Sequence, residues 1–195
     1  MFLEPRANAG GKGKATGWVE VICGSMFSGK TEELIRRLHR ARIAHMRVAL
    51  FKPTFDTRYS ASDVVSHKQS SMAAIAVQSS QDILDRVDSA EVIGIDEAQF
   101  FDSELPDVCN LLANMGKRVV VAGLDMDFAG KPFGPMPALL AIAEYVTKVN
   151  AICMQCGATA SYSYRLIPSL EQNMLGQTES YEARCRTCYM KGMAG

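Results

Sequence analysis

The stretch that decides the fold is Gly24-Ser25-Met26-Phe27-Ser28-Gly29-Lys30-Thr31. It matches the pattern G-x-x-x-x-G-K-[ST] in full. The residues before it, 18–23, have the composition of a buried strand, and apolar residues at Leu34, Ile35 and Leu38 give a helical period after it. A glycine-rich turn with a chance Lys-Thr pair is the alternative, but the order of strand, loop and helix favours a loop that binds phosphate.

This phosphate loop, residues 24–31, contains the groups that hold a nucleoside triphosphate. Its glycines let backbone N–H groups curl around phosphate oxygens, and the N-terminus of the following helix adds partial positive charge. We expect Lys30 to reach the β- and γ-phosphates and the Thr31 hydroxyl to ligate Mg²⁺. The sequence therefore predicts a site for ATP with Mg²⁺.

A second acidic site follows the apolar run 92–95, which ends in Asp96 and Glu97. In an open α/β sheet, ligands lie beyond the carboxyl ends of the strands, where both this pair and the phosphate loop fall. We expect Asp96 to hold the metal, directly or through water, and Glu97 to accept a proton from the attacking nucleophile. The structural alternative is an aspartate that caps the next helix, which would not exclude catalysis.

The string Asp96-Glu97-Ala98-Gln99 also resembles the acidic motif of helicases, in which the glutamate activates water. A helicase of that type needs a second nucleotide-sandwiching domain, and the residues after 150 are too few to form one. A phosphoryl transferase is therefore the main hypothesis. An ATP-driven switch or a DNA-associated ATPase is the alternative function, and nucleoside-dependent ATP consumption would separate the two.

Strand patterns alternate with helical patterns along the rest of the chain. Strands are predicted at 47–51, 92–95, 118–123 and 145–152, and helices at 81–87, 105–115 and 138–143. This alternation predicts an α/β fold with a mostly parallel sheet covered by helices on both faces. Residues 56–71 interrupt it with a polar stretch that we expect to be a mobile surface loop.

The composition fits one sizeable domain with a small appendage. The chain has 195 residues, of which 48% are hydrophobic. Its 21 Lys and Arg balance 21 Asp and Glu, so we expect no nucleic-acid partner and no attraction to a membrane surface. Without a membrane-spanning stretch or a signal-peptide pattern, a cytoplasmic location is expected. We interpret the basic run 36–42 as the solvated face of an amphipathic helix.

Two C-x-x-C pairs near the C-terminus predict a metal site. They are Cys153 with Cys156 and Cys185 with Cys188, and 28 residues separate the pairs. Four thiolates suit a closed tetrahedral zinc with no position left for water, so the metal should be structural. Disulfides are the alternative, which a reducing cytosol disfavours.

These features divide the chain into three predicted parts. They are a flexible tail at 1–16, a nucleotide-binding α/β domain at 17–150, and a zinc-binding subdomain at 151–195. The segment between the cysteine pairs is tied at both ends and has few apolar side chains, so it can fold over a bound molecule.

Several motifs together resemble one family. They are residues 26–31 (Met-Phe-Ser-Gly-Lys-Thr), 56–59 (Asp-Thr-Arg-Tyr), 95–101 (Ile-Asp-Glu-Ala-Gln-Phe-Phe), 123–128 (Gly-Leu-Asp-Met-Asp-Phe), 131–134 (Lys-Pro-Phe-Gly) and the paired cysteines. The combination is similar to the cytosolic, zinc-containing (type II) thymidine kinases over about residues 17–190. The resemblance implies a fold like that of the P-loop NTPases. It also implies transfer of the γ-phosphoryl group of ATP to the 5′-hydroxyl of thymidine, in pyrimidine deoxynucleoside salvage, with Glu97 as general base.

The resemblance further implies the residues of two substrate sites. Those for ATP and its metal ion are Gly24, Ser25, Met26, Phe27, Ser28, Gly29, Lys30, Thr31, Asp56, Arg58, Asp96, Glu97, Ala98 and Gln99. Among them, Arg58 would also neutralise charge on the transferred group. Those for thymidine are Met26, Phe100, Leu124, Phe128, Phe133, Ser163 and Tyr181, with a lasso, Gln172-Asn173-Met174-Leu175-Gly176, whose backbone grips the base. A homotetramer inhibited by the end product thymidine triphosphate is implied as well.

Overall fold

A six-stranded sheet forms the centre of the structure, a computed structural model that describes residues 16–54, 63–65, 71–167 and 180–194. In chain order the elements are β1 (Trp18–Gly24), α1 (Lys30–Ile43), β2 (Val48–Pro53), β3 (Asp63–Val65), β4 (Ser71–Ala73), β5 (Ile75–Val77), α2 (Gln81–Arg86), β6 (Val92–Ile95), a short 3-10 helix (Ala98–Phe100), α3 (Leu105–Asn114), β7 (Arg118–Leu124), α4 (Met136–Ile142), β8 (Tyr145–Lys148), β9 (Ala151–Ile152), β10 (Thr159–Ala160), β11 (Tyr162–Arg165), β12 (Tyr181–Arg184) and α5 (Arg186–Met193). The predictions for residues 1–15, for Asp56 and Arg58, and for 172–176 lie outside the described residues.

The strands of the central sheet are all parallel and follow the order β5-β2-β6-β7-β1-β8. Strand β6 is buried throughout and β7 nearly so, as expected when both faces of a parallel sheet are covered. On one face Leu34 and Leu38 of α1 share a core with Val120, and on the other Leu105 of α3 shares a core with Val121. The predicted α/β architecture with helices on both faces is confirmed. In the part of the chain that the structure describes, no helix has both the length and the apolar character needed to cross a bilayer.

Some boundaries differ from the predictions for local reasons. The run 145–152 is not one strand, because β8 ends at Lys148 and β9 pairs with β10 in a separate two-stranded sheet. Strand β5 was not predicted, because three residues are too few to show a period. Part of the stretch expected to be a loop forms β3, which pairs with β4, and its two adjacent valines favour a strand. Helix α5 was not predicted either, since only Tyr189 is buried along its eight residues.

One basic residue of the run 36–42 is buried and so does not belong to a solvated face. Arg37 is fully buried; its Nη1 donates to Glu20 Oε2 at 2.8 Å and its Nε donates to Glu33 Oε1 at 2.8 Å. Glu20 is also fully buried and accepts a hydrogen bond from Arg118 Nε at 2.6 Å. The interpretation of the whole run as a solvated face was therefore wrong at Arg37. Its partner lies on β1, and the pattern of a single helix cannot reveal such a partner.

Glu20 links three elements of the fold through buried ion pairs, so Glu20→Gln should be strongly destabilising. The variant keeps the side-chain shape but leaves two guanidinium charges without the carboxylate. We expect the free energy of unfolding to fall by about 3 to 5 kcal/mol, measured by urea denaturation. Glu91→Gln is the control, because Glu91 pairs with Arg47 at the surface and such pairs contribute about 1 kcal/mol or less. An equal fall in the free energy of unfolding in the two variants would contradict a stabilising role for the buried ion pairs of Glu20.

Candidate active site

Three strands of the central sheet end at the same edge and bring the predicted site residues together. Strand β1 leads into the phosphate loop, β6 into Asp96 and Glu97, and β7 into Asp125. Strand β7 lies between the other two, with Gly24 in register with Leu124, and Ile95 in register with Val121. The carboxyl ends of parallel strands form the usual ligand crevice of an open α/β sheet. The structure thus places the phosphate loop and the acidic pair at one crevice.

The phosphate loop has a backbone that only certain residues permit. Gly24 has φ +150°, and a Cβ there would lie 2.1 Å from the Val149 carbonyl oxygen. Lys30 Nζ and Ser28 Oγ both donate to the Ser25 carbonyl oxygen at 2.7 Å, so the lysine side chain folds back across the loop. Burial lowers the pKa of the Lys30 ammonium, and the nearby carboxylates of the acidic pair oppose that shift. A half-buried cation at the start of a 14-residue helix suits an anionic ligand.

Asp96 lies against the start of α1. Its Oδ2 accepts a hydrogen bond from Thr31 Oγ1 at 3.1 Å, and its Oδ1 accepts one from the Glu97 backbone N–H at 3.0 Å. Burial raises the pKa of this carboxyl to about 7, with a further contribution from the Glu97 carboxylate. A divalent cation would favour the ionised form, and the hydroxyl and carboxylate oxygens are the hard ligands that Mg²⁺ prefers. The residues present therefore fit the expected ion.

Glu97 follows Asp96 with an unusual backbone. Its φ is +53°, in the left-handed region that few non-glycine residues adopt. The residue is exposed at the crevice and precedes the 3-10 helix without capping it through its side chain. Its Oε2 accepts a hydrogen bond of 2.6 Å from Gln99 Nε2. The Oε1 of Gln99 in turn accepts a hydrogen bond from the Leu124 N–H at 2.9 Å. An exposed carboxylate is thus held beside the buried one.

The residues expected to line the thymidine pocket come from the phosphate loop, the 3-10 helix, β7 and the segment after it, β11 and β12. The rings of Phe100 and Phe133 meet edge to face with centroids 5.6 Å apart. Ser163 Oγ accepts a hydrogen bond from the Met26 backbone N–H at 3.0 Å, which joins β11 to the phosphate loop. Each of these contacts joins two of the residues predicted for the pocket, and the second of them involves the phosphate loop.

The structure adds Arg165, which the sequence analysis did not select. Its guanidinium carbon lies 3.6 Å from the centroid of the Phe128 ring. Its Nε and Nη2 donate to the Tyr181 hydroxyl at 3.0 and 2.6 Å. Arg165 therefore links two residues expected at the pocket. Arg165 could have been found from the alternation of side chains along a strand, because Ser163 and Arg165 are two residues apart and lie on the same face of β11.

The four predicted zinc ligands form one cysteine cluster, Cys153, Cys156, Cys185 and Cys188, with all Sγ atoms within 4.8 Å of one another. Cys156 and Cys185 have their sulfurs 3.7 Å apart, too far for a disulfide bond and close to the spacing of about 3.8 Å that tetrahedral zinc with Zn–S of about 2.3 Å gives. Backbone N–H groups, first that of Cys185, lower the pKa of Cys153 to about 6, whereas side-chain hydrogen bonds, first with Cys185, raise the pKa of Cys188 to about 12. The cluster fits zinc, because four thiolates complete a tetrahedral set of ligands.

The cysteine-bearing part of the chain contacts the crevice directly. Tyr189 of α5 donates from its hydroxyl to the Phe128 carbonyl oxygen at 2.8 Å, and its ring stacks on Tyr162 at 4.4 Å between centroids. With the Met26 to Ser163 hydrogen bond, this ties the small C-terminal sheets to the site. Loss of the metal should therefore disturb the site as well as the local fold.

The chain is similar to known proteins over most of its length. A family model described as thymidine kinase matches residues 17–189. A thymidine kinase from Bacteroides fragilis is 59% identical over 177 residues, which are 91% of this chain and 89% of that protein. One from a Rhodothermus species is 58% identical over 177 residues (91% and 83%), and one from Porphyromonas gingivalis is 57% identical over 175 residues (90% and 86%).

The cysteine cluster should bind about one zinc ion per chain, and Cys188→Ser should lose most of it because one thiolate is removed. Metal content is measured by plasma mass spectrometry, and we expect Tm to fall by about 10 °C in the variant. Cys109→Ala is the control, because this thiol lies in the main core and should leave the zinc content unchanged. A zinc-free protein with the Tm of the zinc-loaded one would contradict a structural metal.

Proposed function

The chain belongs to the thymidine kinase family and phosphorylates thymidine with ATP, and on that premise we propose which residues carry the reaction. Glu97 acts as the general base that takes the proton of the thymidine 5′-hydroxyl, while the phosphate loop holds the γ-phosphoryl group of ATP. The observation that carries this proposal is the position of the exposed Glu97 carboxylate, next to Asp96 and at the same sheet edge as the loop. A general base must lie within hydrogen-bond reach of the proton it removes.

The donor side of the reaction depends on positioning and on charge. Backbone N–H groups of residues 24–31 and the N-terminus of α1 surround the phosphates, and Lys30 exchanges its contact with the Ser25 carbonyl oxygen for a β- or γ-phosphate oxygen. Thr31 and Asp96 would hold Mg²⁺, which would supply positive charge to offset the charge of the phosphates. Ala98 and Gln99 are buried in the 3-10 helix that follows Glu97, so they would support this side of the crevice from below its surface. Arg58 neutralises charge on the transferred group, and Asp56 lies in the same short motif.

The acceptor side holds thymidine between aromatic and apolar side chains. Phe128, Phe100 and Phe133 supply rings for the base, Leu124 and Met26 supply apolar contacts, and Ser163 and Tyr181 border the sugar. The contact of Ser163 with the phosphate loop and the link between Phe128 and Tyr181 through Arg165 support one shared pocket. The lasso at 172–176 grips the base through its backbone.

Assembly, inhibition and location are proposed with the support of the family resemblance. We propose that the protein is a homotetramer in the cytoplasm. Thymidine triphosphate inhibits it by occupying the acceptor site, with its phosphates toward the phosphate loop. The division into a nucleotide-binding domain at 17–150 and a zinc-binding subdomain at 151–195 is proposed likewise, and the separate small sheets around the cysteine cluster support it. The family match and the relatives support the kinase over a switch or a DNA-associated ATPase.

Glu97→Gln tests the general base, because the amide keeps the size of the side chain but cannot take a proton. We expect the single-turnover rate of thymidine monophosphate formation to fall by a factor of about 10² to 10⁴, with the Kd for ATP within about threefold of the unaltered value. Rapid quench kinetics and titration calorimetry give the two quantities. Glu104→Gln, at an exposed carboxylate just before α3, should change neither. Unchanged turnover in Glu97→Gln would rule out the proposed role.

A further inference from the structure

Gln99 lies between two segments that border the crevice. The residue is 2% exposed and is part of the 3-10 helix that follows Glu97. Its amide nitrogen donates to Glu97 Oε2 at 2.6 Å, and its amide oxygen accepts from Leu124 N–H at 2.9 Å. The two contacts have opposite hydrogen-bond sense, so a flipped amide would set N–H against N–H and oxygen against carboxylate. Its orientation is therefore fixed by its partners.

Two glycines make room for Gln99 in this position. A Cβ on Gly134, where φ is +50°, would lie 2.2 Å from the Gln99 carbonyl oxygen. A Cβ on Gly123 would lie 3.0 Å from its side-chain Oε1. The backbone and the amide of Gln99 are thus both enclosed by main chain. The Gln99 amide is therefore a hydrogen-bond donor in a fixed position, and it bonds to the Glu97 carboxylate in one orientation.

Glu97 is the kind of residue for which such a donor matters. Its side chain is exposed, and its backbone has a positive φ of 53°. An exposed glutamate without a fixed partner samples several rotamers, and few of them face a given substrate atom. A misplacement of about 1 Å at a reacting group can cost a factor of about 10² in rate.

We propose that Gln99 is a positioning residue that holds the Glu97 carboxylate in the orientation from which it takes the proton of the thymidine 5′-hydroxyl. This inference rests on the proposed role of Glu97. Gln99 acts through Glu97, from a buried site, and its second hydrogen bond to Leu124 ties that orientation to the end of β7. The competing explanation is a purely structural bond between the 3-10 helix and β7, which would affect folding and not the reaction.

The test is a double-mutant cycle between Gln99→Met and Glu97→Gln. Methionine has nearly the length of glutamine but cannot make either hydrogen bond, and the matched control is Gln81→Met at an exposed position of α2. We expect the single-turnover rate of Gln99→Met to fall by about 10-fold to 10²-fold, with KM for thymidine and for ATP within about threefold. In the Glu97→Gln background the same substitution should cost less than about twofold, because the base through which Gln99 acts is already absent.

The outcomes separate the two explanations. A loss that is equally large in both backgrounds, or no loss in either, would overturn the positioning role. Unaltered turnover by Glu97→Gln itself would overturn the proposed base first, and the inference with it. If Gln99→Met unfolds at lower urea concentration, Gln99→Asn supplies the second variant: it stays neutral and keeps an amide, but it is one methylene too short to reach both partners, and we expect a rate at least 10-fold below the unaltered rate. A folded Gln99→Asn protein with the unaltered rate would contradict the proposal.

Discussion

Parallel pairing of β1, β7 and β6 is the constraint on which the site depends. Because the three strands run in one direction and in register, the segments that follow Gly24, Ile95 and Leu124 emerge at one edge. A phosphate loop, an acidic pair and the support for the Glu97 side chain are thereby placed side by side, although about 100 residues of sequence separate the first from the last. The cores on both sheet faces hold the strands in this arrangement, and Glu20 joins β1 and β7 to α1.

Two buried carboxylates, Glu20 in the core and Asp96 in the candidate active site, differ in how their negative charge is balanced. Glu20 lies between two arginines and so has its counter-charges within the protein. Asp96 accepts hydrogen bonds from Thr31 and from the Glu97 N–H, and burial nevertheless raises its pKa to about 7. The first arrangement stabilises the fold, whereas the second favours arrival of a cation. Such poorly compensated burial is typical of residues retained for function.

The features that could be predicted from sequence have local signatures. The phosphate loop, the Asp96-Glu97 pair after an apolar strand, and the spaced cysteines each follow from residues close in the chain or from a metal's fixed ligand count. What could not be predicted depends on partners distant in sequence. The burial of Arg37 requires its ion pair with Glu20, and the orientation of the Gln99 amide depends on its hydrogen bond to Leu124. Arg165 was not selected because its contacts, Phe128 and Tyr181, are far from it in sequence. Short elements such as β5 were missed because three residues carry no period.

The central claim is that Glu97 faces the thymidine 5′-oxygen across a crevice shared with the phosphate loop. A crystal structure with thymidine, Mg²⁺ and a non-hydrolysable ATP analogue tests it most directly, through the distance from the Glu97 carboxylate to that oxygen. We predict about 2.6 to 3.2 Å, with the γ-phosphate analogue in line beyond the oxygen and Gln99 still bonded to Glu97. A 5′-oxygen more than about 5 Å from Glu97, with another side chain in hydrogen-bond contact, would contradict the account.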